Sequence, residues 1–320
     1  MMIRKLKSPR LKRPYLIACW PGMGEVSLKA GLFLKSVLNF QEFARVEKSG
    51  LFEPIGIISQ RGIAELPKIE EGTFYFSRQK ERDVVLFISQ AQPPLDKGYI
   101  FSRQILEFSA GLKIKEIFTF AAMPQPIDHN QDPRVWVVAT HETVLKDMQK
   151  LGGEILNEGQ ISGLNGLLLG VAKEMGMRGA CLLGEIPFYT IQIENPRATL
   201  KVLDILRRYL NLDIDFSLLI QRSNYIKEEI DKLISYLKGE ASFPEQTPLS
   251  EEDIQRIKKE LNKYSKLPQS VRAKIEDLFR QAEKDISFAS ELKKLLDSWN
   301  VYAEYEDRFL DLFRKKRLDH

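Results

Sequence analysis

Two glycine-containing segments carry the residue types from which a reactive or ligand-binding centre could be built. The first, Pro21-Gly22-Met23-Gly24-Glu25, follows an apolar strand-like run and precedes a helical pattern. In an α/β protein that is where phosphate binds, on the N-terminus of the helix. A dinucleotide fingerprint needs a third glycine three positions further on, but Ser27 stands there. Glu25 sets a carboxylate beside the expected phosphate, and the lysine and hydroxyl of a P-loop are missing. The segment therefore reads as a tight turn at a strand's carboxyl end, with glycine admitting positive φ or close packing.

The second segment is Gly159-Gln160-Ile161-Ser162-Gly163-Leu164-Asn165-Gly166. A nucleophile elbow would place serine where Ile161 stands. Ser162 is expected to cap a helix or make a turn, and Asn165 to donate to a ligand or a neighbouring loop. Three histidines are present. His129 lies in a polar loop after a strand, His141 opens a helix, and His320 ends the chain, so no Ser/His/Asp or Cys/His order can be assembled. Acid–base carboxylates would have to come from Glu25, Asp128, Glu154, Glu158 or Glu185, and no spacing selects two of them. Cys19 and Cys181 are far apart in apolar runs. They read as buried, reduced thiols, and a zinc site is not expected. Gly184-Glu185-Ile186-Pro187-Phe188-Tyr189 ends the last strand, with Pro187 as the stop and Tyr189 as an amphipathic contact suited to a loop edge or subunit interface.

The elements that must position these residues are legible as alternating runs. Strands are predicted over 15–19, 55–58, 73–77, 84–89, 116–120, 135–139 and 180–183. Helices are predicted over 26–38, 97–110, 142–151, 164–174 and 196–209. Such alternation implies a largely parallel or mixed sheet with helices on both faces. After about Ile220 the strand pattern ends, and 40 of the last 100 residues are charged, against 52 of the first 220. A helix carrying Leu219, Ile226, Ile230, Leu233 and Leu237 is predicted, then one capped at Ser250 with Ile254, Ile257, Leu261 and Tyr264 on its stripe. A third, beginning near Pro268, carries Val271, Ile275, Leu278, Ala282, Ala289, Leu292 and Leu296 on one face, and Trp299 to Phe313 extend it. The expected division is a basic leader over 1–13, an α/β domain over 14–220 and a charged helical extension over 221–320.

Charge and hydropathy narrow the classes of partner. Arg4, Lys5, Lys7, Arg10, Lys12 and Arg13 supply the excess behind the net charge of +4. The rest of the chain is near neutral, so a nucleic-acid-binding body is not expected, and the leader reads as a solvated, disordered start. No apolar run reaches the length of about 18 residues that a membrane span needs. No signal peptide is expected either, and a cytoplasmic location follows.

Taken in order, Pro21-Gly22-Met23-Gly24 with Val26, Gly159-x-Ile161-Ser162-Gly163-x-Asn165-Gly166-Leu167-Leu168-Leu169, and Glu185-x-Pro187-x-Tyr189 followed by Pro196 and Ala198 resemble the family named after the second proteasome assembly chaperone. The resemblance covers roughly 14–220. It implies a three-layer α/β/α sandwich, phosphorylase/hydrolase-like, with a mixed, mostly parallel sheet, to which this chain adds a C-terminal all-α extension. It also implies homo-oligomers, and in eukaryotic and some archaeal members assistance to proteasome α subunits. This chain departs from the family where Ser27 replaces a glycine, and where it ends Arg317-Leu318-Asp319-His320. Those last residues lack the hydrophobic–Tyr–any-residue motif by which some archaeal members engage the proteasome, so docking by that route is not expected.

The resulting expectation is a homo-oligomeric, assembly chaperone-like or scaffold protein without catalytic activity, cofactor or metal. Its partners would be itself and proteasome-like subunits or another protein, not a membrane or a nucleic acid. Its contact residues would be drawn from Gly22, Met23, Gly24, Glu25, Ser162, Gly163, Asn165, Gly166, Glu185, Pro187 and Tyr189. The alternative is a small-molecule-binding protein or a hydrolase/phosphorylase-like enzyme, using the cleft at the strand carboxyl ends that the same residues would line.

Overall fold

The computed structural model describes residues 2–47, 50–52, 56–66, 72–237, 269–299 and 301–315. The chain divides into two compact units, Met1–Ile234 and Ser235–His320.

The first unit is organised by runs of apolar residues too continuous to have a solvent face. β2 (Tyr15–Cys19) and β7 (Val84–Ile88) are buried along their whole length. Strands of that kind belong at the centre of a sheet covered on both faces. They lie there, parallel to each other and to β8 (Glu116–Gln125) and β11 (Arg178–Pro187), in the order β7-β2-β8-β11. Antiparallel strands extend the sheet on one side: β6 (Thr73–Ser77), β3 (Gln41–Glu47) and β1 (Met2–Lys5). On the other side β9 (Val135–Ala139) pairs antiparallel with β11, and β10 (Glu154–Ile155) closes the edge. The result is one nine-stranded mixed sheet with a parallel centre. β4 (Ile58–Gln60) and β5 (Ile63–Glu65) form a separate two-stranded hairpin.

Alternation along the central strands sorts side chains to two faces. Leu16, Ala18, Phe87, Cys181 and Leu183 point into a core shared with α2 (Gly98–Gly111) and α4 (Leu164–Glu174). The opposite face is covered by α1 (Val26–Val37), α3 (Glu142–Lys150) and α5 (Pro196–Leu210), where Phe118 packs on Tyr15 and on Tyr209 of α5. The expected three-layer α/β/α arrangement is therefore present. α6 (Ser217–Leu237) follows, and its residues up to Ile234 belong to the first unit.

The second unit contains α7 (Gln269–Lys284), a 3-10 turn over Ile286–Phe288, α8 (Ala289–Ser298) and α9 (Tyr302–Lys315). Ile275, Phe279, Leu292 and Leu296 are fully buried in its core. Arg308 of α9 makes a bidentate pair with Glu276 of α7 at 2.7 and 2.8 Å. Among the described residues, no helix is long and apolar enough to cross a membrane.

The structure departs from the sequence expectation in four places. Met2–Lys5, read as part of a disordered leader, pairs with Ala44–Glu47 as an edge strand. Its charges mark an edge rather than disorder, since charged residues suit a strand with one open side. The chain divides between Ile234 and Ser235, beyond Ile220, because α6 is tied into the first unit by Asp231 to His129 and by Arg222 to Glu194. The single long helix expected from Pro268 is broken at Asp285, whose carboxylate accepts the Ser287 amide at 3.0 Å and so competes with the helical pattern. The strands over 116–120 and 180–183 run on to Gln125 and Pro187, which carries the sheet further toward the candidate cleft. The helix expected from Ser250, with its stripe to Tyr264, lies outside the described residues, as do the last residues Arg317–His320.

Both cysteines are fully buried, and desolvation pushes each thiol up to about 12. Neither thiol is expected to react with Ellman's reagent at pH 8 in the folded protein, and both should react in denaturant. Rapid native labelling of either one contradicts the packing described.

Candidate functional site

The carboxyl ends of β2, β7, β8 and β11 face the same way, so the loops that follow them converge. After β2 the chain enters a single 3-10 turn, Met23–Glu25, in which Gly24 (φ 59°) and Glu25 (φ 50°) are both left-handed. The Gly24 amide donates to the Ile191 carbonyl at 2.7 Å, and the Asn195 amide donates to the Gly24 carbonyl at 2.8 Å. A Cβ on Gly24 would stand 3.1 Å from Ile186 Cδ1. The turn is thus pressed onto the end of β11, and glycine answers both the dihedral and the proximity.

The second glycine segment meets the first through side chains. Gln92, in the loop after β7, donates through Nε2 to the Pro21 carbonyl at 2.5 Å. Its Oε1 accepts the Leu164 amide at 3.1 Å, at the start of α4. Ser27 on α1 donates to Asn165 Oδ1 at 2.9 Å, with both residues buried. Thr119 of β8 donates to the Asn165 carbonyl at 2.6 Å. A Cβ on Gly166 would fall 2.4 Å from the Ile161 carbonyl oxygen, so the close approach at that point requires glycine. The N-terminus of α4 is covered by Gln92, and a Cβ at Gly22 would stand 3.5 Å from Asn165 Nδ2. Groups that a phosphate or substrate would use are already joined to one another.

A second cluster surrounds the end of β11. Glu185 is almost fully buried and accepts the Arg134 amide at 3.0 Å and Trp136 Nε1 at 2.9 Å. The Arg134 guanidinium adds a contact at 2.9 Å and also reaches Glu154 at 3.3 Å. A buried carboxylate with this many donors holds β9 against β11, as a charge away from water requires. Beyond it, Tyr189 Oη accepts the His129 amide at 2.8 Å and lies 2.8 Å from His129 Nδ1. His129 Nε2 lies 2.8 Å from Asp231 Oδ1 on α6. A ring protonated on Nε2 satisfies both contacts, with Tyr189 donating to Nδ1 and the ring donating to Asp231. Burial pushes the Tyr189 hydroxyl up to about 12. The hydrogen bond from His129 holds the Asp231 carboxyl below its ordinary value. The recess lined by His129, Glu185, Pro187, Asn195, Arg197 and Ile230 encloses about 30 Å³. That volume holds roughly two waters.

The residues singled out from the sequence fall into two groups. Gly22, Gly163, Asn165 and Gly166 meet across the Gln92 contact, whereas Glu185, Pro187 and Tyr189 lie at the recess. Gly24 touches both through Ile186 and Asn195. Ser162 is partly buried, and the cap position before α4 is Gly163. Met23 and Glu25 are half-buried, with Glu25 paired to Lys29 at 3.3 Å. Lys29 continues to Glu194 at 3.0 Å, and Glu194 pairs with Arg222 of α6. Gln92, Ser27, Thr119, Arg134 and Asp231 were not foreseen as members. Gln92 had one available signal, its place in the loop after a central parallel strand. Among the described residues, no group of three or more His, Cys, Asp and Glu side chains is placed to hold a metal ion.

Comparison with known proteins gives concordant findings. The sequence model of the PAC2 family matches residues 16–234. An uncharacterized protein of Methanocaldococcus jannaschii is 26% identical over 262 residues, covering 80% of this chain and 97% of the relative. The crystal structure of PbaB from Pyrococcus furiosus, described as an archaeal proteasome activator, superposes with a TM-score of 0.63 at 27% identity, over 72% of this chain and 98% of that one. A PAC2 family protein from Streptomyces avermitilis superposes with a TM-score of 0.59 at 20% identity, over 69% and 95% of the two chains.

Two outcomes test the geometry. Asn165→Ala leaves the Ser27 hydroxyl buried without its acceptor, and stability should fall by about 1–3 kcal/mol in urea denaturation. An unchanged midpoint means the two segments are not held there. Because Asp231 is lowered, the stability it contributes is complete above the ordinary carboxylate range and is lost as pH falls through the lowered value. The melting-temperature difference between wild type and Asp231→Asn present at about pH 5 should shrink below about pH 4. A difference that persists undiminished below about pH 3 contradicts the contact.

Proposed function

We propose that this chain, which belongs to the PAC2 family, works as a homo-oligomeric, assembly chaperone-like scaffold that binds other proteins and performs no catalysis. Its partner is of the proteasome kind, as the description of PbaB suggests for a relative of similar fold. The strand-end contacts favour this reading over the small-molecule alternative, because Gln92, Asn165 and Glu185 are engaged internally and the recess beside Glu185 is small, about 30 Å³.

One observation carries the proposal. The hairpin β4–β5 exposes Ile57, Ile58, Ile63 and Leu66 at 65%, 45%, 67% and 68%. Its turn is Arg61-Gly62, both at positive φ (52° and 82°), the geometry that matches the twist of paired strands. Two strands alone are marginal in water, and an aliphatic cluster of this kind on a soluble surface marks a contact site. In this reading the hairpin is an arm that becomes covered on association.

Light scattering on the full chain should give a mass that is a multiple of 36.9 kDa. The double change Ile63→Asp, Leu66→Asp should lower that mass and weaken capture of an archaeal proteasome particle by about tenfold or more, the scale of a buried hot spot. A wild-type monomer that captures no proteasome particle overturns the proposal.

A further inference from the structure

The second unit carries a surface that the proposed function leaves unused. Between α8 and α9 lies an open groove of about 660 Å³, lined by Ile286, Ser290, Lys293, Lys294, Phe309 and Phe313 among others. Its volume is in the range of clefts that receive apolar groups, roughly 300–1,000 Å³. One wall is the α8 face of Ser290, Lys293, Lys294 and Asp297, which recur at helical spacing. The other wall is α9. There Phe309 is buried and its ring lies 5.6 Å from that of Phe313 at a tilt of 58°, with Phe313 45% exposed. Leu310 is 39% exposed beside it, and Glu306 stands on the same face one turn earlier.

The charges around this groove are unevenly matched. Lys293 is engaged with Asp297 at 3.9 Å and with the Tyr302 ring at 5.7 Å. Lys294 and Glu306 have no hydrogen-bond or ion-pair partner among the described residues. One surface therefore presents an apolar ridge with an unpaired anion, and next to it an apolar groove with an unpaired cation. A ridge and groove on the same face, with opposite charges beside them, are complementary to themselves under a two-fold rotation.

We propose that the second unit pairs with a second copy of itself about a two-fold axis. The Glu306–Leu310–Phe313 face of α9 from each copy lies in the α8–α9 groove of the other, and Lys294 of each meets Glu306 of the other. Helix-in-groove burial of Phe313 and Leu310 supplies the attraction, and the two ion pairs set the orientation. Ala289 and Ser290 in the groove lining are small, which allows a helix to approach.

The test uses the full chain carrying Ile63→Asp and Leu66→Asp, so that association through the hairpin is removed, and reads mass by sedimentation equilibrium. This parent should reversibly form dimers. Lys294→Glu or Glu306→Lys should each weaken the dimer about tenfold, because two exposed contacts turn from attraction to repulsion. An equal mixture of the two variants should regain the parent's affinity, since each presents to the other the charge it cannot present to itself. Phe313→Asp should abolish dimerisation with helical circular dichroism unchanged. A monomeric parent overturns the proposal, as does a mixture no more associated than its separate components, or a Phe313→Asp protein with the parent's mass. Failure of the hairpin to bind a proteasome particle leaves these readouts intact, because they compare only variants at positions 294, 306 and 313.

Discussion

The buried contact of Ser27 with Asn165, reinforced by Gln92, is the constraint on which the rest of the first unit depends. Four parallel strands end together, and the peptide groups beyond their carboxyl ends must find partners without water. Gln92 supplies one donor and one acceptor to two segments more than 70 residues away in sequence. Asn165 ties α4 to α1 through its side chain and to β8 through its carbonyl. Removing either side chain leaves buried polar groups without partners, and that loss exceeds what the hydrogen bond itself contributes. The place where α/β proteins usually bind ligands is here a structural seam.

That closure moves attention to the surfaces that are not satisfied internally. The hairpin presents aliphatic side chains and, among the described residues, forms a two-stranded sheet of its own. The α8–α9 groove of the second unit is lined by the exposed Phe313 and by Lys294, and Glu306 stands on α9 nearby; among the described residues neither charge has a hydrogen-bond or ion-pair partner. Both features have the chemistry of protein contacts, one by strand and one by helix. As proposed, they are two independent points of association. The family model spans residues 16–234, most of the first unit, and the helical unit lies outside it.

Much of the fold is legible in the sequence because its centre has no solvent face. The bounds of β2, β6, β9 and α4 follow directly from unbroken apolar or helical runs closed by glycine, proline or polar residues. β3, Gln41–Glu47, was missed because Glu42, Arg45 and Glu47 dilute its apolar side and a register shift lies between Glu42 and Ala44. β1 was missed because a basic edge strand and a solvated leader have the same composition. At the site, the glycines were visible as punctuation and the close approach at Gly166 as a possibility of its type. The clamp was not, since Ser27 and Asn165 are 138 positions apart and nothing local marks either as the other's partner. His129 was recognised as lying in a polar loop, but its bond to Asp231 needed the path of α6.

Hydrogen–deuterium exchange of the full chain across a dilution series reads the seam and the hairpin in one experiment. A closed seam and an association-dependent hairpin predict slow exchange at Gly24 and Leu164 at every concentration, and exchange over Ile58–Glu65 that quickens as the protein is diluted. Fast exchange at Gly24 and Leu164, together with hairpin rates independent of concentration, would contradict the account.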